Sequence, residues 1–280
     1  MQLPNSIRAA LAAAIVLASL SLLPSASRAT MPTADGTVPE TVSNAFRAGM
    51  FSLPERPEGI HAAAAQTVWK IPIMLISFLD DTPTYGASTL DRALFDTTHA
   101  TPTGSVFDYY RWASNGRITV IGKVVGHIRL NETKHYYGWT SWGLSLTATP
   151  NNDYGAISDA LHHMPDIRWS DYDMDHDGYV DMLWVIHPGV GGEATSNRDN
   201  MWSITSRMST AWRNGSTYIT NDPVPGSTTA KMQIDRFTML PELSAIHAGA
   251  RAEIGTYCHE FGHALGLPDL YDTWAGTRPA

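Results

Sequence analysis

The sequence predicts an α/β or α+β domain, a mixed twisted sheet with helices laid against it. Two apolar runs, residues 68–78 and 180–186, are continuous and short, and read as buried strands. Stretches with helical spacing alternate with them, and no internal repeat is visible. In the last helical stretch His259 and His263 fall four apart, with Glu260 beside the first. At 280 residues, 43% hydrophobic and 16% charged, the chain has apolar material for a substantial core.

The N-terminus comes first. Arg8 gives a positive start, an apolar run covers 9–23, and Ser27-Arg28-Ala29 reads as a cleavage site. Residues 1–29 therefore read as a signal peptide, because the run is shorter than the roughly 20 residues of a membrane span. Removing it takes away Arg8 and Arg28 and no acid, so the net charge goes from −8 to −10. The expectation is a secreted, extracellular protein with no stable membrane span after signal cleavage. An acidic exported chain also argues against nucleic acid as a partner. Residues 30–66, rich in Pro, Gly, Ala and Thr, read as a linker or short prosegment, with the main domain over 67–280.

Order begins with the strand over 68–78. Pro72 cannot donate a ladder bond, so it belongs near the strand start or on an edge. Ser105 offers an N-cap to a helix over 106–113. Asn115-Gly116 ends that helix and leads into a strand over 117–121, extended on to Leu130. Residues 131–152, polar and aromatic, read as a long surface loop. Residues 154–164 read as a helix with Ile157, Leu161 and Met164 on one side, 179–187 as a strand, and 250–265 as the last helix. The Gly-rich segment 187–193 lacks the Lys-Ser/Thr of a phosphate loop and reads as a turn near a cleft.

The last helix carries the chemistry. Residues four apart on an α-helix differ by about 40° around its axis, so His259 and His263 share a face. Two imidazoles so placed suit a zinc ion about 2.0–2.1 Å from each nitrogen. Glu260 stands where a general base for a water belongs. The seventeen residues after His263 hold no Glu and no His, leaving Asp269, Asp272 and Tyr271 as downstream donors. Asp269 fits best, because Gly266 permits a tight turn straight after the helix.

A second signal is acidic. Asp173, Asp175, Asp177 and Asp181 fall at positions 1, 3, 5 and 9 of a calcium loop, with Gly178 at the turn and the Tyr179 carbonyl at position 7. Position 12 is Trp184 and a strand follows, so the loop is not an EF-hand. It predicts a structural calcium, with a solvated acidic turn as the alternative. The single cysteine, Cys258, forms no internal disulfide and reads as a buried, inert thiol. His162, His163, His176 and His187 read as structural or solvent-facing.

With both motifs in view, the chain resembles the immune inhibitor A family of secreted bacterial zinc metallopeptidases. The resemblance rests on Cys258-His259-Glu260-Phe261-Gly262-His263-Ala264-Leu265-Gly266-Leu267-Pro268-Asp269-Leu270-Tyr271-Asp272, on the acidic block 171–181 leading into 182–187, and on Ser105-Val106-Phe107-Asp108-Tyr109-Tyr110. It implies a metzincin-like zinc endopeptidase, made with a prosegment and bound to calcium. It also implies His259, His263 and Asp269 as zinc ligands and Glu260 as the catalytic acid/base, acting on protein or peptide substrates. Members continue into a Met-containing turn and further domains. Eleven residues after Asp269 hold none of these, so a catalytic domain with an incomplete C-terminal subdomain is expected. An inactive calcium-binding relic and a metal-dependent hydrolase of a non-peptide substrate are the competing functions. The oligomeric state is not legible.

Overall fold

The computed structural model describes residues 68–145, 147, 150–209 and 215–269, together with 27–28, 39–47 and 52–53. Most of the expected signal peptide and linker, and Tyr271 and Asp272, lie outside these residues. At its centre is a five-stranded sheet of β3 (Val68–Ser77), β4 (Thr119–Arg129), β5 (Leu183–His187), β6 (Ile204–Arg207) and β9 (Arg236–Pro241). The order is β4-β3-β5-β9-β6, with β6 antiparallel to β9 and every other pairing parallel. The expected mixed sheet of an α/β domain is present.

Side chains alternate across this sheet with a period of two. Trp69, Ile71, Ile73 and Leu75 of β3, with Trp184 and Ile186 of β5, join one core cluster. It takes in α2 (Ala87–Phe95), α3 (Val106–Ala113) and α6 (Ile254–Ala264). Met74, Ile76, Leu183, Val185, Phe237 and Met239 join the other. That cluster takes in α4 (Lys134–Gly138), α5 (Asp153–His162) and the 3-10 turn Trp169–Tyr172. The chain runs from β3 outward to β4, then back past β3 to β5. Right-handed parallel crossovers put the connecting helices on opposite faces when the direction reverses like this.

Local signals fix several boundaries. Ser105 and Asp108 form a reciprocal capping box at the start of α3. Pro72 sits mid-strand against Lys123 of β4, but the β3–β5 ladder spans only Ile73 to Leu75. At Pro72 the strand thus has a partner on one side alone. At the sheet's border, β4 skips Val125 in a bulge, and the neighbouring Val124 amide donates to Asp91 of α2 (2.6 Å).

Three expectations are corrected. Residues 131–152 are not a plain surface loop: they hold α4, and Tyr137, Leu144 and Asn152 are buried. Their turns are left-handed at Trp139, Thr140, Trp142 and Gly143, a conformation that hides the segment's order from hydrophobic periodicity. The strand expected over 179–187 begins only at Leu183, because Tyr179 to Asp181 still belong to the acidic loop. The last helix starts at Ile254 rather than Ala250.

Near the N-terminus, α1 (Glu40–Arg47) packs Val42 into the core, and Arg198 donates to Thr41 (3.0 Å). β1 (Ser27–Arg28) pairs with β2 (Ser52–Leu53), and β2 lies beside β6. β7 (Tyr218–Pro223) and β8 (Lys231–Ile234) form a separate hairpin. No helix among the described residues is long and apolar enough to cross a membrane.

Candidate functional site

α6 is held by packing more than by helix propensity, since it contains two glycines, Gly255 and Gly262. Its apolar side is aromatic. Phe261 meets Trp69 (5.3 Å between ring centres) and Tyr110 (5.0 Å) edge-on, and Tyr257 packs on Trp184. Its end is a Schellman turn: Gly266 has φ +86°, its amide donates to His263 (3.0 Å), and the Leu267 amide donates to Gly262 (3.0 Å). That turn reverses the chain and carries Asp269 back over the helix.

Three donor atoms consequently meet. His259 Nε2 lies 3.2 Å from His263 Nε2 and 3.0 Å from Asp269 Oδ1, and His263 Nε2 lies 3.4 Å from the same oxygen. A tetrahedral ion with bonds of 2.0–2.1 Å needs donors about 3.3–3.4 Å apart. The observed triangle of 3.0–3.4 Å fits that requirement. The protonation pattern fits too. His263 Nδ1 lies 2.7 Å from the Leu267 carbonyl, which can only accept, so Nδ1 carries the hydrogen and Nε2 keeps its lone pair for the cluster. His263 and Asp269 side chains are 2% exposed and His259 is 27% exposed, so the cluster opens to solvent on the His259 side.

Glu260 is fully buried beside this triangle, and neither carboxylate oxygen receives a hydrogen bond of good geometry. The Thr205 hydroxyl borders the carboxylate, but its well-formed bond (2.9 Å) is to the Glu260 main-chain carbonyl. Burial pushes the Glu260 carboxyl up to about 7, against the pull of His263 and His259. Burial also tends to raise Asp269, yet the adjoining His259 and His263 rings outweigh it and leave its pKa lowered. For His263 burial works downward and the Asp269 contact prevails, raising it. The set therefore combines two imidazoles, one ionised carboxylate and one buried carboxyl that lacks a well-formed hydrogen bond among the described residues, a donor set that suits a divalent cation.

Glu193 follows β5 in the turn expected near a cleft, and its charge is felt at His259. Its carboxylate accepts from the Ser203 amide (3.0 Å) and hydroxyl (2.6 Å), and burial raises its pKa. Neither Glu193 nor Thr205 carries a local sequence signal. Cys258 is buried, free and pushed up to about 12 by burial, as expected of an inert thiol. β5 lies between β3 and β9, and the border strand nearest α6 is β6, joined to it by Thr205.

In the acidic loop, carboxylate oxygens of Asp173, Asp175 and Asp177 lie within 4.8 Å of one another. Backbone amides hold them: Asp173 accepts from Asp177 (3.1 Å) and Gly178 (3.0 Å), and Asp177 accepts from Tyr179 (2.9 Å). Asp181 is buried and accepts from the Met174 amide (3.1 Å). Burial raises the Asp173 pKa, and the Asp177 charge adds to the effect. Tyr179 forms a bridge to Gln233 of β8, tying the loop to the hairpin.

Comparison with known proteins gives matches of one kind. Residues 85–280 match the family model described as immune inhibitor A peptidase M6, catalytic domain. The pre-pro-metalloprotease PrtV of two Vibrio cholerae serotype O1 strains is 30% identical over 217 residues, covering 67% of this chain and 22% of the relative. Immune inhibitor A of Bacillus thuringiensis subsp. alesti is 30% identical over 183 residues, covering 59% of this chain and 25% of the relative. The chain thus spans about a quarter of the length of these relatives.

Proposed function

This chain belongs to the immune inhibitor A peptidase family, M6, and we propose that it is a secreted zinc-dependent endopeptidase. One observation carries the reading: three donor atoms 3.0–3.4 Å apart beside a buried carboxyl whose oxygens receive no well-formed hydrogen bond among the described residues. His259, His263 and Asp269 would hold the zinc. A bound zinc supplies an electrophile for a carbonyl oxygen and makes water more acidic. Glu260 takes a proton from the attacking water on a carboxylate oxygen and returns it to the departing amine nitrogen. Dry surroundings keep that carboxyl's affinity for protons near the working pH, as general acid/base chemistry needs. Asp269 contributes a negative charge, which lowers the net charge of the centre.

β6, the border strand beside α6, offers an edge for an extended peptide by β-addition. Residues 30–66 then act as a linker or short prosegment, and Ser52–Leu53 of β2 lies alongside that same strand. The acidic loop holds a structural calcium through Asp173, Asp175, Asp177, Asp181 and the Tyr179 carbonyl, pinning it to the hairpin. Residues 1–29 direct export, and 67–280 make up the catalytic domain.

The test combines zinc content by atomic absorption with cleavage of casein. One zinc per chain, with cleavage lost in Glu260→Ala, is expected. Zinc without cleavage in the unaltered chain points to a relic, and cleavage that survives Glu260→Ala removes the mechanism.

A further inference from the structure

Three side chains from three different elements donate hydrogen bonds to main-chain carbonyls of α6. Tyr110 of α3 reaches Cys258 (2.6 Å), Thr205 of β6 reaches Glu260 (2.9 Å), and Arg236 of β9 reaches Ala264 (3.1 Å). The Arg236 contact places a cation on the last carbonyl, where the helix dipole favours it. Tyr110 grips the opposite flank. The Thr205 contact is unlike that of Arg236, because the Glu260 carbonyl, like the Cys258 carbonyl under Tyr110, already has its own amide partner four residues on. That bond is not needed to satisfy the helix, and it falls on the residue read as the proton carrier.

We propose that Thr205 is a positioning residue for Glu260, an inference that rests on the peptidase reading above. Thr205 is wholly buried, and its neighbours Ile204 and Ser206 point to the other side of β6. Its single hydroxyl proton goes to the Glu260 carbonyl, which leaves an oxygen lone pair for the Thr238 hydroxyl 3.0 Å away on β9. Thr238 thereby fixes the Thr205 rotamer, and Thr205 fixes the rotation of α6 against the sheet border. Around the helix, Glu260 points about 100° from His259 and about 60° from His263. The helix rotation therefore sets where the carboxylate lies relative to the donor triangle. A side-chain tip about 5–6 Å from the axis moves by about 1 Å for a rotation of about 10°. A misplacement of that size is enough to cost a catalytic group about a hundredfold in rate.

The same contact couples two roles. If an extended substrate pairs with β6, the strand that receives it also holds the helix of the proton carrier through Thr205. Seating the peptide and aligning the carboxylate then depend on one strand.

The experiment compares the full chain with Thr205→Val, Thr205→Ser and Glu260→Ala. Valine keeps the shape and suits a strand, while serine keeps the hydroxyl. Zinc content, casein kinetics and amide hydrogen exchange over α6 are measured for each. Thr205→Val is expected to retain its zinc and KM, to lose about ten- to a hundredfold in kcat, and to exchange faster over α6. Thr205→Ser is expected to restore kcat to within about threefold and to restore protection over α6. Wild-type kcat and exchange in Thr205→Val, with Glu260→Ala inactive, overturn the inference alone. A Thr205→Ser variant as slow as Thr205→Val also overturns it, because loss of packing would then explain both. Undiminished cleavage by Glu260→Ala overturns the peptidase mechanism itself and the inference with it.

Discussion

His187 ends β5 with its imidazole fully buried. Its Nδ1 donates to the Pro188 carbonyl (3.0 Å), and Nε2 is buried with no hydrogen-bond partner among the described residues. Burial, with the nearby Lys134 charge, holds its pKa down to about 3. In the unfolded chain the same ring titrates near 6.5. A folded pKa below the unfolded one contributes stability that is complete above pH 6.5 and lost as the pH falls towards 3. Between pH 7 and pH 5 the unfolded chain gains a proton that the folded chain refuses, which costs about 2 kcal/mol at this one site. His187→Asn keeps a donor near the Pro188 carbonyl but cannot titrate. Urea unfolding of the chelator-treated protein at both pH values supplies the test. The wild type should lose about 2 kcal/mol more than the variant between them. Equal losses would refute the reasoning, because they would mean that the buried ring takes up its proton without penalty.

Other buried groups make further predictions. Asp153, the first residue of α5, is fully buried, its carboxylate oxygens without a hydrogen-bond partner among the described residues, and burial raises its pKa well above the ordinary carboxylate range. Raising the pH above about 4 therefore destabilises the fold through this group, and Asp153→Asn should raise the melting temperature more at pH 8 than at pH 4. A chelator should lower the melting temperature through the acidic loop, and calcium alone should restore it. At a hundredfold excess over Kd the recovery is worth about 2.7 kcal/mol, and Asp173→Asn should abolish it. Gly266→Ala places a side chain at φ +86°, costing about 1 kcal/mol in denaturant unfolding and loosening zinc through the displaced Asp269.

The donor helix was legible because its information is local. His259, Glu260 and His263 sit within one helical repeat, and Gly266 supplies the left-handed turn that returns Asp269. The acidic loop was legible for the same reason, from the spacing of its aspartates. The sheet was half legible. β3 and β5 are buried on both faces and read as continuous apolar runs, and the apolar run of β5 matches its place inside the sheet. Its neighbour β9, which arrives some fifty residues later, was not legible. β6 and β9 are short and interleave Thr, Ser and Arg with apolar residues, because Thr205 and Thr238 face each other inside the molecule rather than solvent. The segment 131–152 hides its core residues among left-handed turns, where neither period applies. Thr205 and Glu193 reach the site from 55 and about 65 residues away in sequence.

Diffraction recorded at the zinc absorption edge, on crystals of the purified chain, tests the central claim most directly. One anomalous peak is expected about 2.0–2.2 Å from His259 Nε2, His263 Nε2 and an Asp269 carboxylate oxygen. An empty position between the two rings, or an Asp269 carboxylate turned away from an occupied one, would contradict it.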